Sequence, residues 1–455
     1  MGLNSENIDR RSVRLLILSC LLYGAGLRLF PICLPLALLI MAVQCRRGGT
    51  GWKIGCGAAW GLMFSAGFYF WALAYGILPW LGLVAVRGLP WALLGLPSAL
   101  LCRRGTVKPW HQAIAFGLGL ALVSWLLLVG PTGNDWETPA GAFTSWPELL
   151  GSLSYLGLAG YAFMLGSACA LIGSESKLAR GSGVIALTAW CCLNVALSSS
   201  RAVDPLPDLK VALLQTGWSQ DEKWDAQTRK RGIELLLTLT RQAHSQGAEF
   251  VIWPETAWPN RGMRKRFRDT RAIGRLARNL EISVLASSIE EKDGTWLNSA
   301  SLINETGKFT LEYQKERLAP FAEFLPVPRR IEQSLRKVRP FSYVSRFAPG
   351  ELQPVMSAGP YRFRTLICFE SMVPWPAAKA KHEVDFYVVL TNDAPMIYDW
   401  PKEDHFRSAV LRAVEFRKPV YQASNNGVTG IVNSAGRVVD RTALRESGQK
   451  IILSP

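Results

Sequence analysis

The sequence predicts a multi-span α-helical membrane bundle followed by an α/β domain whose sheets pack between helix layers. The first observation is a change of composition near residue 200. Residues 13–199 are mostly Leu, Ala, Gly, Val and Trp with few charges, whereas residues 201–455 have the composition of a soluble domain. The second observation is that apolar β-rich runs alternate with helical patterns only in the later part. The 455-residue chain therefore divides into a bundle over residues 1–200 and an α/β domain over residues 201–455.

Seven apolar segments in the first part approach or exceed the roughly 20 apolar residues that a helix needs to cross a bilayer. They are residues 14–29, 31–45, 54–77, 79–101, 111–130, 151–173 and 183–199. Arg87 lies inside the fourth segment, and we expect it to face the bundle interior. The alternative is a cleaved signal peptide followed by buried core helices, but no Ala-x-Ala-like site follows the first segment.

Basic residues cluster in every second loop between these segments. They are Arg10, Arg11 and Arg14; Arg46, Arg47 and Lys53; Arg103, Arg104 and Lys108; and Lys177 with Arg180. The positive-inside rule places these loops in the cytoplasm, so residues 201–455 are predicted on the other side of the membrane. The net charge of +16 fits these topology signals or an anionic membrane surface better than nucleic acid, given the large apolar half.

The second part reads as strands and helices in alternation. Strands are predicted at 210–216, 249–253, 282–289, 363–368, 385–391, 419–424 and 427–433, with a hairpin over 301–313 and helices over 225–246 and 405–416. The loop 325–350 is long, basic and rich in proline, which is typical of a mobile lid. We expect Phe341, Tyr343 and Phe347 in this loop to touch lipid.

One cysteine stands apart from the others. Eight of the nine cysteines precede residue 200, and Cys368 follows the apolar run RTLI in the second part. Outside the cytoplasm a lone thiol has no internal disulfide partner, so Cys368 is either an inert buried thiol or a reactive one. Its position at a strand end, where α/β folds place their chemistry, favours the reactive interpretation.

A cysteine nucleophile needs a base, and carboxylates fit better than histidines here. His244, His382 and His405 follow no predicted strand, so a Cys–His pair is weakly supported. The spacing of Cys and His residues fits no metal site, so no metal or other cofactor is expected. Glu255 in WPETAW follows the strand EFVIW, and it could act as general base. Lys315 follows another strand, where an ammonium could stabilise an oxyanion.

Three motifs together, WPET, YQKERLAPFAEFLP and LICFES, resemble the nitrilase (carbon–nitrogen hydrolase) superfamily and its membrane-bound apolipoprotein N-acyltransferase branch. Further matches are KWD at 223–225, TNDA at 391–394, HFRSAVLRAVE at 405–415 and SNNGVTG at 424–430. The resemblance implies a nitrilase-type αββα sandwich in the periplasm, attached to a multi-pass bundle in the bacterial inner membrane.

The resemblance also implies roles for single residues. Glu255 would be the general base, Lys315 the cation that stabilises the oxyanion and Cys368 the nucleophile. Supporting positions would be Glu323, Glu370, Trp224 and Phe369. The implied reaction passes an acyl group from a phospholipid, through a cysteine thioester, to an amine such as that of a lipoprotein. No direct contact with nucleic acid is expected, although RGMRKRFRDTR at 261–271 is strongly basic.

The sequence departs from the acyltransferase pattern at two positions. Phe369 and Pro395 stand where this branch typically has Tyr and Trp, and the final transmembrane helix of the branch has no counterpart before Pro455. These departures are similar to the shorter TraB-type branch of plasmid conjugal-transfer proteins. The alternative function is therefore a component of a conjugation apparatus whose nitrilase domain binds or scaffolds with little activity.

Overall fold

The computed structural model describes residues 10–102, 107–199, 206–225, 228–258, 267–338, 341–444 and 448–455. The chain divides into two compact units, Met1–Arg201 and Ala202–Pro455. The basic residues Arg103 and Arg104 lie outside the described residues, as does most of the basic run 261–271.

The first unit is helical throughout. Its α-helices are α1 (Arg10–Arg28), α2 (Cys33–Arg46), α3 (Thr50–Phe68), α4 (Ile77–Gly88), α5 (Leu96–Cys102), α6 (Pro109–Leu126), α7 (Leu153–Ile172) and α8 (Lys177–Ser199). Short 3-10 turns occupy Phe70–Tyr75, Leu89–Leu94, Pro139–Phe143 and Pro147–Leu150. Helix therefore covers each of the seven predicted segments. The fourth is interrupted between α4 and α5, where Pro90 follows Leu89.

Fewer helices than predicted meet the criteria for a membrane span. Among the described residues, three helical stretches are long and apolar enough: Ile77–Leu101, Leu153–Ile172 and Lys177–Ser199. The apolar helix Cys33–Arg46 is shorter. The helices α3 and α6 have enough length, but α3 includes Lys53 and several glycines, and α6 begins with the polar residues His111 and Gln112.

Arg87 faces the interior of the helical unit, as expected. Its side chain is buried and pairs with Glu137, with 3.2 Å between Arg87 Nε and Glu137 Oε1. Its Nη1 donates to the carbonyls of Leu127 (2.7 Å) and Thr132 (3.2 Å), and its Nη2 donates to the carbonyl of Asn134 (3.2 Å). The loop after α6 is thus folded around one buried cation rather than exposed.

The second unit contains all the described strands. They are β1 (Val211–Gln215), β2 (Phe250–Ile252), β3 (Ser283–Lys292), β4 (Thr295–Ile303), β5 (Phe309–Gln314), β6 (Met356–Ala358), β7 (Tyr361–Ile367), β8 (Phe386–Thr391), β9 (Val420–Ser424), β10 (Gly430–Val432), β11 (Val438–Arg441) and β12 (Lys450–Leu453). The helices are α9 (Gln220–Trp224), α10 (Thr228–Ser245), α11 (Phe267–Leu280), α12 (Arg329–Leu335), α13 (Pro374–Ala378) and α14 (Asp399–Phe416).

These strands form two six-stranded sheets. One has the order β12-β1-β2-β3-β4-β5 and the other the order β11-β10-β9-β8-β7-β6. The centre of each sheet is parallel: β1, β2 and β3 in the first, and β7, β8 and β9 in the second. Antiparallel hairpins flank these centres, including the predicted β4–β5 hairpin.

Three apolar cores build an αββα sandwich from these sheets. Leu213 and Ile252 of the first sheet share one core with Phe386 and Val388 of the second. A second core joins the other face of the first sheet to α10 and α11, and a third joins the second sheet to α13 and α14. Strand alternation explains this, because neighbouring residues of β8, such as Tyr387 and Val388, enter different cores.

The segment 325–350 is more ordered than the sequence predicts. It contains α12, and the backbone of Phe347 pairs with that of Trp296. Phe341 is buried, which corrects the expectation that it touches lipid, and the side chain of Tyr343 lies outside the described part. Among the described residues of this segment, the large apolar side chains that are exposed are those of Ile331 and Val338.

Candidate active site

The predicted catalytic residues lie just beyond the carboxyl ends of strands. Glu255 follows β2, Lys315 follows β5 and Cys368 follows β7. The first two strands belong to one sheet and β7 belongs to the other. The two sheets share one core, so residues that are far apart in sequence meet where these strands end.

Glu255 is a buried carboxylate with both oxygens engaged. Its Oε1 accepts from Asn298 Nδ2 at 2.8 Å and lies 3.5 Å from Lys315 Nζ. Its Oε2 accepts from the backbone N–H of Asn392 at 2.8 Å. The next residue, Thr256, adopts a positive φ of 46°, and its N–H donates to Ser287 Oγ. These contacts fix the carboxylate in one orientation.

Lys315 is a buried ammonium between two carboxylates. Its Nζ lies 2.9 Å from Glu323 Oε2 and 3.5 Å from Glu255 Oε1. Burial by itself lowers the pKa of Lys315, but Glu323 and Glu255 outweigh that effect and raise the pKa. The side chain therefore stays a cation, as an oxyanion-stabilising group must. Glu323 also accepts from Asn298 Nδ2 at 2.9 Å.

Cys368 is half-buried and takes a strained backbone conformation, with φ of 52°. Burial first, and then the carboxylate of Glu255, raise the pKa of the thiol, while Lys315 opposes them. A neighbouring lysine by itself favours the thiolate, but burial and the surrounding carboxylates outweigh its effect on the pKa of Cys368. The resting side chain is therefore a thiol, and it needs a base at the moment of attack.

Glu370 connects the Cys368 turn to the Lys315 segment. It is fully buried, and its Oε1 accepts from the N–H groups of Glu316 (2.8 Å) and Arg317 (3.1 Å). Its Oε2 accepts from the N–H of Ile367 at 2.7 Å and from the hydroxyl of Tyr313 at 2.9 Å. Burial raises the pKa of Glu370 to about 7, against the lowering effect of these donors.

Phe369 and Trp224 are the other two predicted supporting residues, and the structure describes the side chain of Phe369 alone. Phe369 is buried, and the Arg317 guanidinium lies 5.8 Å from the centre of its ring. Trp224 ends α9, but its side chain lies outside the described residues. Pro395, the second departure in the sequence, follows the TNDA motif beyond β8.

Sequence reasoning missed Lys223, the neighbour of Trp224. This side chain is buried, and its Nζ donates to the carbonyl of Glu255 at 2.8 Å and to Thr256 Oγ1. Burial lowers its pKa to about 7, although Glu255 and Cys368 act in the opposite direction. The motif KWD was visible, but a single lysine in a short helix gives no sign of burial.

Asn298 and His405 were also missed as parts of the site. Asn298 is buried on β4. The residues around it, TWLNSASLI, give no sign that this amide is buried. His405 is buried on α14, with its Nδ1 2.7 Å from Asp393 Oδ1 and its Nε2 3.2 Å from the carbonyl oxygen of Cys368. The sequence places His405 in an amphipathic helix, and only the fold brings it to Cys368.

The arrangement has the parts that acyl transfer through a thiol requires. A rigid carboxylate, a buried cation and a strained thiol lie at the same edge of the sandwich. The carboxylate of Glu255 raises the pKa of both Lys315 and Cys368. Among the described residues, no group of three or more His, Cys, Asp or Glu side chains is arranged to hold a metal ion.

The chain is similar to known proteins over most of its length. Residues 210–452 match the Carbon-nitrogen hydrolase family. The chain is 29% identical to the apolipoprotein N-acyltransferase of Brucella melitensis over 443 residues, covering 91% of this chain and 80% of that protein. It is 27% identical to the protein of the same name from Geobacter metallireducens, covering 96% of this chain and 88% of that one.

The fold is also similar to the solved structure of an amidase from Nesterenkonia sp., with 20% sequence identity and a TM-score of 0.41. The match covers 56% of this chain and 94% of the amidase.

Proposed function

Because the chain belongs to the carbon–nitrogen hydrolase family through residues 210–452, we propose that it is a membrane-anchored N-acyltransferase that uses Cys368 as nucleophile. The observation that carries the proposal is the buried Lys315 ammonium, which contacts Glu255 at 3.5 Å and Glu323 at 2.9 Å near a half-buried thiol. The relatives that match nearly the whole chain bear the name apolipoprotein N-acyltransferase.

In the first half-reaction, Cys368 Sγ attacks the ester carbonyl of a phospholipid while Glu255 takes the thiol proton. Lys315 stabilises the oxyanion that forms. The oxyanion then collapses, the ester C–O bond breaks, and the leaving alkoxide takes the proton from Glu255. The products are a lysophospholipid and a thioester on Cys368.

In the second half-reaction, an amine attacks the thioester carbonyl and Glu255 takes a proton from it. The C–S bond breaks, and the proton returns to the departing sulfur to restore the thiol. The products are an amide and free enzyme. We propose that the amine is the N-terminus of a lipoprotein, in keeping with the name of the relatives.

Intact-mass spectrometry of the full-length protein with phospholipid vesicles tests this mechanism. We expect a mass increase of one acyl chain, removed by hydroxylamine and absent from Cys368→Ala. Cys192→Ala is the matched control, because Cys192 is another accessible thiol and lies in the helical unit. An adduct that survives in Cys368→Ala, or no adduct on the wild type, would contradict the proposal.

The orientation of the α/β unit is part of the same proposal. The alternation of basic loops supports a periplasmic location and a bundle in the inner membrane. Reporter fusions after residues 48, 105 and 178 should indicate the cytoplasm, and fusions after 140 and 205 the periplasm. A cytoplasmic signal at 205 would overturn the orientation.

A second candidate is a binding or scaffolding role in a plasmid conjugation apparatus. Phe369 and Pro395 motivate it, together with the raised pKa of the Cys368 thiol, which leaves the resting nucleophile protonated. Under this hypothesis Cys368→Ala supports conjugation as well as the wild type does. A fall in conjugation frequency with Cys368→Ala would instead favour the enzyme.

A further inference from the structure

His405 lies directly behind the nucleophile and is fully buried. Its Nε2 is 3.2 Å from the carbonyl oxygen of Cys368 and 3.2 Å from Ser371 Oγ. On the other side of the ring, Nδ1 is 2.7 Å from Asp393 Oδ1 and 3.3 Å from Thr391 Oγ1. The proposed mechanism gives this histidine no role.

The partners of the ring determine its protonation state. A carbonyl oxygen and a carboxylate oxygen only accept hydrogen bonds, so both ring nitrogens must donate. The two hydroxyls have other acceptors for their protons, because Ser371 Oγ donates to the Cys368 carbonyl at 2.9 Å and Thr391 Oγ1 donates to Asp393 Oδ1 at 2.8 Å. The ring is therefore an imidazolium paired with Asp393.

The charges around His405 agree with this assignment. Burial by itself lowers the pKa of His405, but Asp393 outweighs it and raises the pKa, and Glu255 acts in the same direction. Asp393 is itself fixed, since its Oδ2 accepts from Ser424 Oγ at 3.0 Å. Burial raises the pKa of Asp393, but His405 lowers it by more, so the net shift is downward. Asp393 is therefore a carboxylate and His405 is a cation.

The backbone that His405 contacts is strained. A positive φ at a residue other than glycine is strained and persists only where several contacts determine it. Cys368 has a φ of 52°, and its carbonyl accepts hydrogen bonds from His405 and Ser371. The N–H of the preceding residue, Ile367, donates to Glu370. Of these two donors to the carbonyl, His405 is the charged one.

We propose that the Asp393–His405 pair is a positioning device for the nucleophile, in which the imidazolium holds and polarises the Cys368–Phe369 peptide. A hydrogen bond to a peptide carbonyl strengthens the N–H of the same peptide as a donor. The N–H after a nucleophile commonly serves as an oxyanion donor. This inference rests on the proposed use of Cys368 in acyl transfer.

Two reactions of the same thiol distinguish this role from simple packing. Acylation by a p-nitrophenyl ester forms an oxyanion, whereas alkylation by iodoacetamide displaces iodide and forms none. For His405→Gln and His405→Phe we expect acylation to slow by roughly tenfold or more, since a full oxyanion donor is worth about 10²–10³. Alkylation should change by less than about threefold, on the ground that it needs only the thiol and its base.

Matched variants sharpen the comparison. Ser371→Ala removes the neutral donor from the same carbonyl and should slow acylation less than His405→Phe, because charged donors form the stronger hydrogen bonds. His405→Gln offers an uncharged N–H and should recover part of the rate lost in His405→Phe. Asp393→Asn keeps the shape but not the charge and should slow acylation without slowing alkylation, and it serves as a second test if His405→Phe does not fold.

The outcomes separate this inference from the proposed function. Equal slowing of acylation and alkylation in the variants, or wild-type acylation in His405→Phe and Asp393→Asn, would overturn the positioning role. A wild type that reacts with the ester but takes no acyl chain from phospholipid vesicles would remove only the lipid donor. A wild type that is alkylated but accepts an acyl group from neither reagent would overturn both.

Discussion

The helical unit and the α/β unit each bury an ion pair, and the two differ in how completely the charges are satisfied. Arg87 faces one carboxylate, Glu137, and its remaining N–H groups donate to backbone carbonyls of one loop. Lys315 faces two carboxylates, Glu255 and Glu323, beside a thiol. The first group is electrically balanced, whereas one ammonium with two carboxylates leaves an excess negative charge.

This difference indicates that the buried charge of Arg87 stabilises the fold, whereas the buried charges around Lys315 are suited to a reaction. A cation with all its donors directed at fixed acceptors stabilises one backbone arrangement and has nothing left to bind. A cluster with excess negative charge and a nearby half-buried thiol can accept a proton during a reaction. Five substitutions, two of them with a matched control, test this contrast.

The largest effect is expected for Arg87→Met, which leaves Glu137 and several carbonyls unpaired inside the helical unit. Breaking a buried ion pair from one side costs about 3–5 kcal/mol. Arg87→Lys is the matched control, and it should recover only part of the stability because an ammonium has three donors and no planar fork. Unfolding of the purified protein in detergent, titrated with denaturant, measures both, and an unchanged midpoint for Arg87→Met would refute the structural role.

Lys315→Met should damage chemistry more than stability, because Glu255 and Glu323 keep their hydrogen bonds from Asn298 and from backbone N–H groups. We expect acylation to fall by about 10²–10³-fold because the oxyanion loses its cation. Glu255→Gln should also slow acylation, by about 10²-fold or more, because the thiol loses its base. Rates of acyl-enzyme formation on folded variants measure both effects. If Lys315→Met unfolds the protein as Arg87→Met does, the contrast between the two ion pairs fails.

Asn298→Ala should have a smaller effect. Its Nδ2 donates to Glu255 at 2.8 Å and to Glu323 at 2.9 Å, so it sets the distance between the two carboxylates. A hydrogen bond to a charged group contributes about 1.5–3 kcal/mol, which predicts acylation slower by roughly tenfold. Asn304→Ala, in the exposed turn between β4 and β5, is the control and should keep the wild-type rate.

Lys223→Met tests a pH dependence. The pKa of Lys223 is about 7 in the folded protein and 10.5 as the ordinary value. Between these values the unfolded chain binds more protons than the native protein, so stability rises with pH by up to about 1.4 kcal/mol per unit. Lys223→Met should remove this rise between pH 7 and 10. Thermal melts at several pH values across that range measure this. An equal change of stability with pH in the wild type and in Lys223→Met would contradict the burial of Lys223.

Much of this architecture follows from sequence, and specific physical reasons explain the rest. The strands that precede Glu255 and Cys368 are visible because apolar β-rich runs end in polar residues there. The short edge strands β6, β11 and β12 escaped prediction because three or four residues give no alternation to read. His405 and Asn298 escaped because their roles depend on contacts between elements that are distant in the chain.

Glu370 has a consequence for how the protein loses activity. Its carboxylate joins the turn after β7, in one sheet, to the segment after β5, in the other. Glu255 and Lys315, the proposed base and cation, follow strands of the first sheet, and Cys368 follows a strand of the second. Under the proposed mechanism, the distance that matters for catalysis is therefore the spacing of the sandwich itself. Any loosening of that spacing disassembles the reacting groups while every helix and strand is still intact. Heat should therefore inactivate the enzyme before circular dichroism registers a change.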